Sequence, residues 1–545
     1  MTESEEKLRL ETIELRQQAR LYQSLHERAL AKQKEQAEQI QVLKAKVAEL
    51  QKRLFGRKCE QDFSSEAWEA KRRRCRRKRG QQPGASGHGR QRRDSLPVEP
   101  VVVVAPPALC VCARCGLPLE LAGTVAAHEE IEWEVRLVRK GYRRQCYKRT
   151  CACAGMPARI VAPAPARLIP KGLLSLGAIV EMLRLKFKYQ MPLNRILRMG
   201  KDHGLSLSAG TVCGIWQKLE PLFTPLYQAI VEATRQTGEW LMDETRWEVF
   251  ERVEGKESHR WWVWVVVSPI SRVYLLRTSR GAGVPKEFFG WDEQTQTCRW
   301  PGRLMVDRFA SYKFLTVALL LAFCWAHVRR DFLMFRPGAD TAGQAWADGW
   351  IERIGELYHL NGARIDLGRD LETPAMPAPF VRMDAARQSA PEYAQAQQAL
   401  VQKVDAMARS RDEELAQPGL PAPRRKILSS LSEHWKGLTL FVEQPEIPMD
   451  NNGAERAGRP AAMGRKNYYG SGSVWSGQLM AMMMTLFQTL ALHGVDDRGY
   501  LTAYLEACAQ NQGLVPLDLN PWLPWNYKAA APGAPAPTSA TARAP

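Results

Sequence analysis

The sequence lacks the apolar segments that mark membrane and secreted proteins. No run of about 18 apolar residues occurs anywhere in its 545 residues, so we expect no membrane-spanning helix. The first residues, Met-Thr-Glu-Ser-Glu-Glu-Lys, lack a basic region followed by an apolar stretch, so no secretory signal is predicted. We therefore expect a soluble, cytoplasmic protein, whose 12 cysteines bind metal or stay reduced rather than form disulfides.

Acidic residues are in deficit. The chain has 58 Asp and Glu against 77 Lys and Arg, which gives a formal net charge of +19. An excess of this size favours a polyanionic partner, either nucleic acid or an anionic membrane surface. Hydrophobic residues make up 45% of the chain, enough to bury sizeable cores, and the length predicts roughly three or four domains. The composition indicates a multidomain protein that binds nucleic acid.

Glycine and proline are absent from the first part of the chain until Gly56, which predicts one long helix over residues 1–56. Apolar residues spaced by three and four form an a/d seam near its end. An amphipathic helix that packs on its own domain would show the same seam, but we favour a coiled coil that makes a homodimer or a higher oligomer. The seam consists of Ile40, Leu43, Val47, Leu50 and Leu54.

A basic run begins at Lys71 and is followed by Gly and Pro, within a segment, 57–99, that we expect to be a flexible linker. Like charges repel one another, and Gly and Pro disfavour a stable helix. Such an arm binds DNA phosphates without reading sequence and in a salt-dependent manner, although a solvated tether has the same composition. The residues expected to contact DNA are Arg72, Arg73, Arg74, Arg76, Arg77, Lys78 and Arg79.

Half of the cysteines are clustered within residues 100–165. Cys112-x-x-Cys115 forms a compact knuckle, and Cys151-x-Cys153 follows a strand-like alternating segment. Four thiolates make a closed tetrahedral site, so these cysteines predict a structural Zn²⁺. Cys110 or Cys146 could replace an assigned ligand, and ordinary cysteines in a small domain remain the alternative.

Residues 166–235 show a helical pattern interrupted by a turn. The turn falls at His203-Gly204, and Ser208 is placed to cap the helix that follows it, which is predicted to end at Leu219. Helix, glycine-containing turn and helix is compatible with a helix-turn-helix that binds DNA. Plain helical packing explains the pattern equally well, because the second helix has few donors that would reach base edges.

A β-rich block follows the helical region, and the fold class indicated is multidomain α+β. Strands are predicted at Trp240–Asp243, 261–267, 272–276, 302–307 and 321–325. The Ala-, Gln-, Arg- and Glu-rich region at about 336–440 is predicted to be a helical insertion within a domain over 236–500. A long helix is expected at 477–493, a C-terminal segment over 501–527, and a disordered Ala-, Pro-, Ser- and Thr-rich tail over 528–545.

Three acidic segments are placed where carboxylates can converge. Asp243-Glu244 and Asp307 lie on or just past predicted strands, and Glu455 opens a predicted helix. Converging carboxylates bind hard divalent cations, Mg²⁺ or Mn²⁺, and a metal pair supports phosphoryl transfer. Because alternate strand residues face opposite sides, only Asp243 or Glu244 can point into such a site, and spacing does not say which.

The Glu455 segment has a second explanation. Asn452-x-x-Glu455 fits the spacing of a capping box, in which the glutamate merely satisfies the start of a helix. Arg456 and Arg459 lie about one turn apart on the same helix and are placed to contact DNA phosphates.

These motifs resemble those of the IS66-type insertion-sequence transposases, and the resemblance covers nearly the whole chain except the terminal tail. The segments that carry it read Leu50-Gln-Lys-Arg-Leu-Phe-Gly-Arg-Lys, Asp243-Glu-Thr, Asp307-Arg-Phe-Ala-Ser-Tyr, Cys324-Trp-Ala-His-Val-Arg-Arg, Asp450-Asn-Asn-Gly-Ala-Glu-Arg, Gly464-Arg-Lys-Asn-Tyr-Tyr-Gly-Ser and Leu523-Pro-Trp-Asn-Tyr.

The resemblance implies an RNase H-like catalytic domain with a DDE triad, carried over by motif to Asp243, Asp307 and Glu455. It also implies a leucine-zipper-like helix, a zinc-binding segment and a helix-turn-helix region before that domain. The implied activity is metal-dependent cleavage of the transposon ends, followed by attack of the freed 3′-OH groups on target DNA. Implied partners are the terminal inverted repeats, target DNA and small accessory proteins of the same element, with nucleoid association in a bacterial host.

The motif around the second acid departs from the family pattern. Relatives usually have Gly-Tyr after the aspartate, whereas this chain has Arg308-Phe309, so the local turn and charge differ. His327, with Arg329 and Arg330, is either a phosphate-orienting group or a core histidine. Two rival functions stay open: a non-catalytic, zinc-containing DNA-binding protein, and an RNase H-like nuclease that cuts without joining.

Overall fold

The computed structural model describes residues 159–256, 258–372 and 376–528, a segment over 135–148, and single positions between 23 and 157. The backbone forms two compact units, one of residues 57–138 and one of the remainder, and the elements below belong to the second. The described positions between 23 and 39 are helical. The predicted coiled-coil seam, the basic residues Arg72 to Arg79, the thiols Cys112, Cys151 and Cys153, and the tail after Lys528 lie outside the described residues.

The described part of the chain is a mixed α and β structure, as the sequence predicted. Its strands are β1 Cys146–Lys148, β2 Arg159–Val161, β3 Glu239–Val249, β4 Arg260–Val267, β5 Arg272–Arg277, β6 Trp291–Asp292, β7 Thr297–Cys298, β8 Arg303–Val306, β9 Leu320–Phe323 and β10 Gly470–Ser471. Cys146, one of the possible zinc ligands, is exposed on β1, which pairs with β2.

Along the chain, the labelled α-helices precede, separate and follow the longer strands. They are α1 Leu176–Leu183, α2 Leu193–Asp202, α3 Ala209–Arg235, α4 Gly283–Phe289, α5 Trp325–Phe335, α6 Thr341–Gly368, α7 Ala385–Gln388, α8 Pro391–Ala416, α9 Ala422–Glu433, α10 Trp435–Glu443, α11 Asn452–Tyr468, α12 Val474–Leu492 and α13 Asp497–Gln510. None of the described helices is both long and apolar enough to cross a membrane.

The central sheet has the strand order β5-β4-β3-β8-β9, and β10 pairs with the far end of β3. β3, β4 and β5 are antiparallel neighbours, whereas β8 and β9 run parallel to β3. Aromatic and β-branched residues favour strands, and β4 consists almost entirely of Trp and Val. The five strands predicted between Trp240 and Trp325 are present, although the last ends at Phe323, whereas the described positions 135–139 of the strand-like segment before Cys151 form no strand.

Helix α12 packs along β5, the strand at one edge of the central sheet. The backbone N–H of Tyr274 donates to the Thr485 hydroxyl at 2.9 Å, and that of Arg272 donates to Thr489 at 3.2 Å. These hydroxyls satisfy donors that an edge strand otherwise leaves unpaired. The long Met-rich helix predicted at 477–493 is therefore a buried core element, which its burial from Leu479 to Leu490 also shows.

The helices before the sheet match the predicted turn and cap. Ser208 accepts a hydrogen bond from the Thr211 N–H at 3.1 Å, and Gly204 has φ +84 in the turn before it. Helix α3 continues to Arg235, well beyond the predicted end at Leu219. Its apolar face packs in the same hydrophobic core as the sheet.

The segment between α5 and α11 is helical, as predicted for about 336–440, and it consists of α6 to α10. Asp340 caps α6 by accepting from the Gly343 N–H at 2.8 Å. The fully buried Arg364 of α6 donates to the carbonyl oxygens of Phe441 and Val442, both at 2.8 Å, and so ties α6 to α10. The insertion is thus a packed unit that connects the second acidic segment to the third.

A candidate carboxylate site

The register of the two central parallel strands sets the first two acids side by side. Leu241 of β3 lies opposite Met305 of β8, and β8 ends one residue later at Val306. Counting two residues onward along each strand places Asp243 level with Asp307. Neighbouring strands are about 4.8 Å apart, so these two carboxylates start from adjacent backbone positions.

Asp243 lies within a strand, whereas Asp307 follows one. β3 continues to Val249, so Asp243 and the residues before and after it pair with β4. Asp307 is half-buried just beyond β8, and its Oδ1 accepts the N–H of Phe309 at 2.9 Å.

The third acid arrives on helix α11. The buried Asn451 precedes this helix and donates from Nδ2 to the carbonyl oxygen of Met242 at 2.7 Å, and its N–H contacts Cys324 Sγ at 3.2 Å. The segment is therefore fixed to β3 and to the start of α5. Glu455 follows in the first turn of α11, with 30% of its side chain exposed.

The capping-box explanation of Glu455 is wrong for this helix. Asn452 is the first residue inside α11, and the side chain of the cap residue Asn451 makes no capping hydrogen bond. Glu455 instead faces His327 and Arg330, with Oε1 at 3.6 Å from His327 Nε2 and 3.6 Å from Arg330 Nη2. The sequence had left the role of His327 open, and the structure brings it beside the third acid.

The three acids are close enough to influence one another electrostatically. The pKa of Asp243 is raised to about 8, chiefly by burial and in addition by the negative charges of Glu244, Asp307 and Glu455. Burial also lowers the pKa of His327, assisted by the nearby Arg330 and opposed by Glu455 and Asp307. Asp243 thus retains a proton at neutral pH unless a cation compensates its charge.

Glu244 faces a different set of partners from its neighbour Asp243. Its side chain is 1% exposed, and its Oε1 lies 2.6 Å from Arg280 Nη2 and accepts from Arg280 Nε at 2.7 Å. Its Oε2 accepts the Tyr312 hydroxyl at 2.8 Å. Burial raises the pKa of Glu244, as does the charge of Asp307, while its bonds to Tyr312 and Arg280 lower it.

The departure at Arg308-Phe309 has a structural explanation. Arg308 donates to the Ser430 hydroxyl at 2.8 Å and pairs with Asp331, which ties the segment after β8 to α9 of the helical insertion and to α5. Phe309 lies against the Arg280 guanidinium, whose central carbon is 3.9 Å from the ring centroid. The two residues therefore have packing partners within this chain.

Oxygen ligands from three carboxylates suit a hard divalent cation, so the residue types at this site fit Mg²⁺ or Mn²⁺. The side chains do not form a closed ligand set: within the described part of the chain, no group of three or more His, Cys, Asp or Glu residues is placed to hold a metal ion. The buried Asn451 Oδ1 and His327 Nδ1, both next to the acidic segments, have no hydrogen-bond partner among the residues that the structure describes. The donor chemistry fits a cation, and the side-chain positions are not preorganised for one.

The predicted phosphate contacts on α11 are accessible. Arg456 and Arg459 are both exposed on the helix that carries Glu455. Further along α11, Arg465 donates to the Thr245 hydroxyl at 3.1 Å and to the Arg246 carbonyl, which fixes the helix to β3 beyond the acids.

Comparison with known proteins assigns the chain to a family. Residues 171–479 match the Transposase IS66 family, and the chain therefore belongs to it. Three proteins of Sinorhizobium fredii (strain NBRC 101917 / NGR234) are similar. The uncharacterized protein y4jD is 27% identical over 78% of this chain and 80% of its own, and y4hP is 24% identical over 79% and 75%. The third, y4qI, is 27% identical over 70% of this chain and 68% of its own length.

The sequence did not point to Arg280 and Tyr312. They lie 36 and 68 residues from Glu244, in a loop and in a 3₁₀ helix, and although Tyr312 ends the segment Asp307-Arg-Phe-Ala-Ser-Tyr, nothing in that segment indicates a contact with Glu244. The available signal was Glu244 itself, because a carboxylate in a strand of buried residues requires partners for its charge.

Proposed function

We propose that the chain is a DNA transposase that cuts transposon ends and joins their 3′-OH groups to target DNA by two-metal phosphoryl transfer. Membership of the IS66 transposase family supports the general activity. The observation that carries the assignment to particular residues is the strand register, which sets Asp243 level with Asp307 on adjacent parallel strands. The strand order of the sheet supports an RNase H-like domain over 236–500.

Asp243, Asp307 and Glu455 are the residues that would hold the cations. Bound divalent metal ions at such a site activate an attacking oxygen and stabilise a leaving one. Burial is the main reason that the pKa of Asp243 is near 8, and the repulsion from Asp307 and Glu455 that adds to it would be relieved when cations bind. His327 and Arg330 lie beside Glu455 and are placed to orient it or a phosphate next to it.

The remaining parts of the chain would bind and hold DNA. Arg456 and Arg459 would contact phosphates near the acids, and the basic residues Arg72 to Arg79 would bind DNA without sequence preference. A structural Zn²⁺ held by Cys112, Cys115, Cys151 and Cys153, with Cys110 or Cys146 as substitutes, and a coiled coil over 1–56 complete the proposal. We further propose a homodimer or higher oligomer that acts with accessory proteins of its element on nucleoid DNA.

The test is cleavage of labelled DNA that carries the ends of the gene's own element, with Mg²⁺ or Mn²⁺ added. Asp307→Asn is the diagnostic variant, and Asp366→Asn is the matched control, because Asp366 lies on α6 with 75% of its side chain exposed. We expect cuts at the element ends that persist in the control and vanish in Asp307→Asn, together with strand-transfer products.

Two other results would replace the proposal. Cuts without strand-transfer products would favour a nuclease that does not join. DNA binding without cleavage, even after the neighbouring gene products are added, would favour the non-catalytic DNA-binding protein.

A further inference from the structure

Glu244 is a buried carboxylate that has no role in the proposed chemistry. It stands next to Asp243 in β3, and the hydrogen bonds of its side chain go to Arg280 and Tyr312, which are outside the three acids. A carboxylate buried in this way costs stability unless charged or polar donors saturate it. Here both oxygens are used: Oε1 by the Arg280 guanidinium and Oε2 by the Tyr312 hydroxyl.

These two partners are attached to the segment that begins with Asp307. Tyr312 is fully buried in the 3₁₀ helix Ala310–Val317, and its ring lies edge-on to Trp264 at 5.9 Å between centroids. Arg280 lies over the Phe309 ring at 3.9 Å, and its carbonyl oxygen accepts the Ser311 hydroxyl at 3.0 Å. The segment 307–312 is therefore held to Glu244 directly through Tyr312 and indirectly through Arg280.

These contacts also reach the Asp307 carboxylate. Phe309, which is packed against Arg280, donates its N–H to Asp307 Oδ1 at 2.9 Å. The central carbon of the Arg280 guanidinium also lies 5.1 Å from the ring centroid of Trp262. A displacement of Phe309 would therefore move the donor that orients the second acid.

We propose that Glu244 is a positioning residue for Asp307: through Tyr312 and the Arg280–Phe309 pair, it fixes segment 307–312 so that the second acid stays level with the first. This inference rests on the proposed function, in which Asp307 holds a divalent cation. The two adjacent acids of β3 then have separate tasks, since Asp243 faces the cation site and Glu244 anchors the loop of its partner acid.

The inference is tested in the purified full chain with variants that remove single links. Tyr312→Phe deletes only the hydroxyl that binds Glu244, and Phe309→Leu deletes the ring under Arg280, whereas Phe309→Tyr keeps that ring. Tyr504→Phe is the matched control, because it removes a buried hydroxyl that donates to the Leu222 carbonyl at 2.6 Å, away from this loop. Mn²⁺ affinity is measured by titration without DNA, and amide hydrogen exchange is followed over 307–315.

We expect Tyr312→Phe and Phe309→Leu to weaken Mn²⁺ binding by about tenfold or more, as residues that support metal ligands do. Exchange over 307–315 should become faster in both. Phe309→Tyr and Tyr504→Phe should match the wild type in both measurements. Equal affinity and equal exchange in Tyr312→Phe, Phe309→Leu and Tyr504→Phe would overturn the inference.

A separate comparison isolates the proposed function. If Asp307→Asn binds Mn²⁺ as tightly as the wild type, Asp307 is not a ligand and both proposals fall. If Asp307→Asn loses Mn²⁺ while the Tyr312 and Phe309 variants retain both affinity and slow exchange, the cation site stands and only the positioning role of Glu244 is excluded.

Discussion

Among single residues, Asp243 binds its proton more tightly in the folded protein than in the unfolded chain, and this makes stability depend on pH. Its pKa is raised to about 8, so between about pH 4 and 8 the folded protein holds a proton that the unfolded chain has released. Stability without added divalent cations should therefore fall as the pH rises through this range.

The Asp243→Asn variant tests this, because its side chain does not ionise. We expect little change in Tm at pH 5 and a gain of a few degrees at pH 8, measured by thermal unfolding without added Mg²⁺ or Mn²⁺. Asp366→Asn, on an exposed carboxylate, should show no such pH-dependent difference. A difference between Asp243→Asn and wild type that stays constant from pH 5 to 8 would contradict the raised pKa.

At the same scale, sequence reasoning located the acids but not their surroundings. Alternation in a strand indicates that only one of Asp243 and Glu244 points into the site, and the contacts of Glu244 agree with this. The resemblance, and not the spacing, selected Asp243. The partners of Glu244 were out of reach because they are long-range contacts set by packing of the whole sheet.

Among the elements, helix α11 has to approach β3 closely to bring Glu455 to the other acids. A Cβ added at Gly453 would lie 2.9 Å from Pro379 Cδ and 3.1 Å from Leu241 Cδ2. We expect Gly453→Ala to displace the start of the helix and to cost about 1–3 kcal/mol, measured as a lower Tm.

Gly458 lies on the same helix, and nothing is within 4 Å of an added Cβ there. Gly458→Ala should therefore raise the Tm, because alanine in a helix interior is favoured over glycine by about 0.5–1 kcal/mol. Equal shifts in the two variants would show that the approach to Leu241 is not tight.

The elements that were predicted well are those with strong local patterns. The Trp- and Val-rich strands and the Ser208 cap follow from residue type alone. Helix α3 was predicted too short, since it continues past Leu219 and contains Pro221 and Pro225. Its buried face continues through Leu222 and Leu226, so packing outweighs the cost of two prolines.

At the scale of the whole molecule, helix α13 is bonded to the helical region that precedes the sheet. Asp497 accepts a hydrogen bond from Arg184 at 2.7 Å, and Tyr504 of α13 donates to the Leu222 carbonyl of α3. We expect a chain that ends after Asp496 to lose its cooperative thermal transition, because the apolar faces of α1 and α3 would be exposed.

A chain that ends after Lys528 is the control, and it should unfold at the wild-type Tm. The same Tm in the chain that ends after Asp496 would show that α13 adds nothing to the core.

The helical insertion lies between the second acid and the third in the sequence. It therefore delays the synthesis of the third acid relative to the second. At about 5–20 residues per second, a ribosome needs on the order of ten seconds to proceed from Asp307 to Glu455. Throughout that interval the nascent chain carries the basic segments and two acids, but it has no complete triad. If the three acids act together and the basic segments bind DNA as proposed, products that end before Glu455 would bind DNA without cutting it, and only chains translated past Glu455 would be able to break DNA.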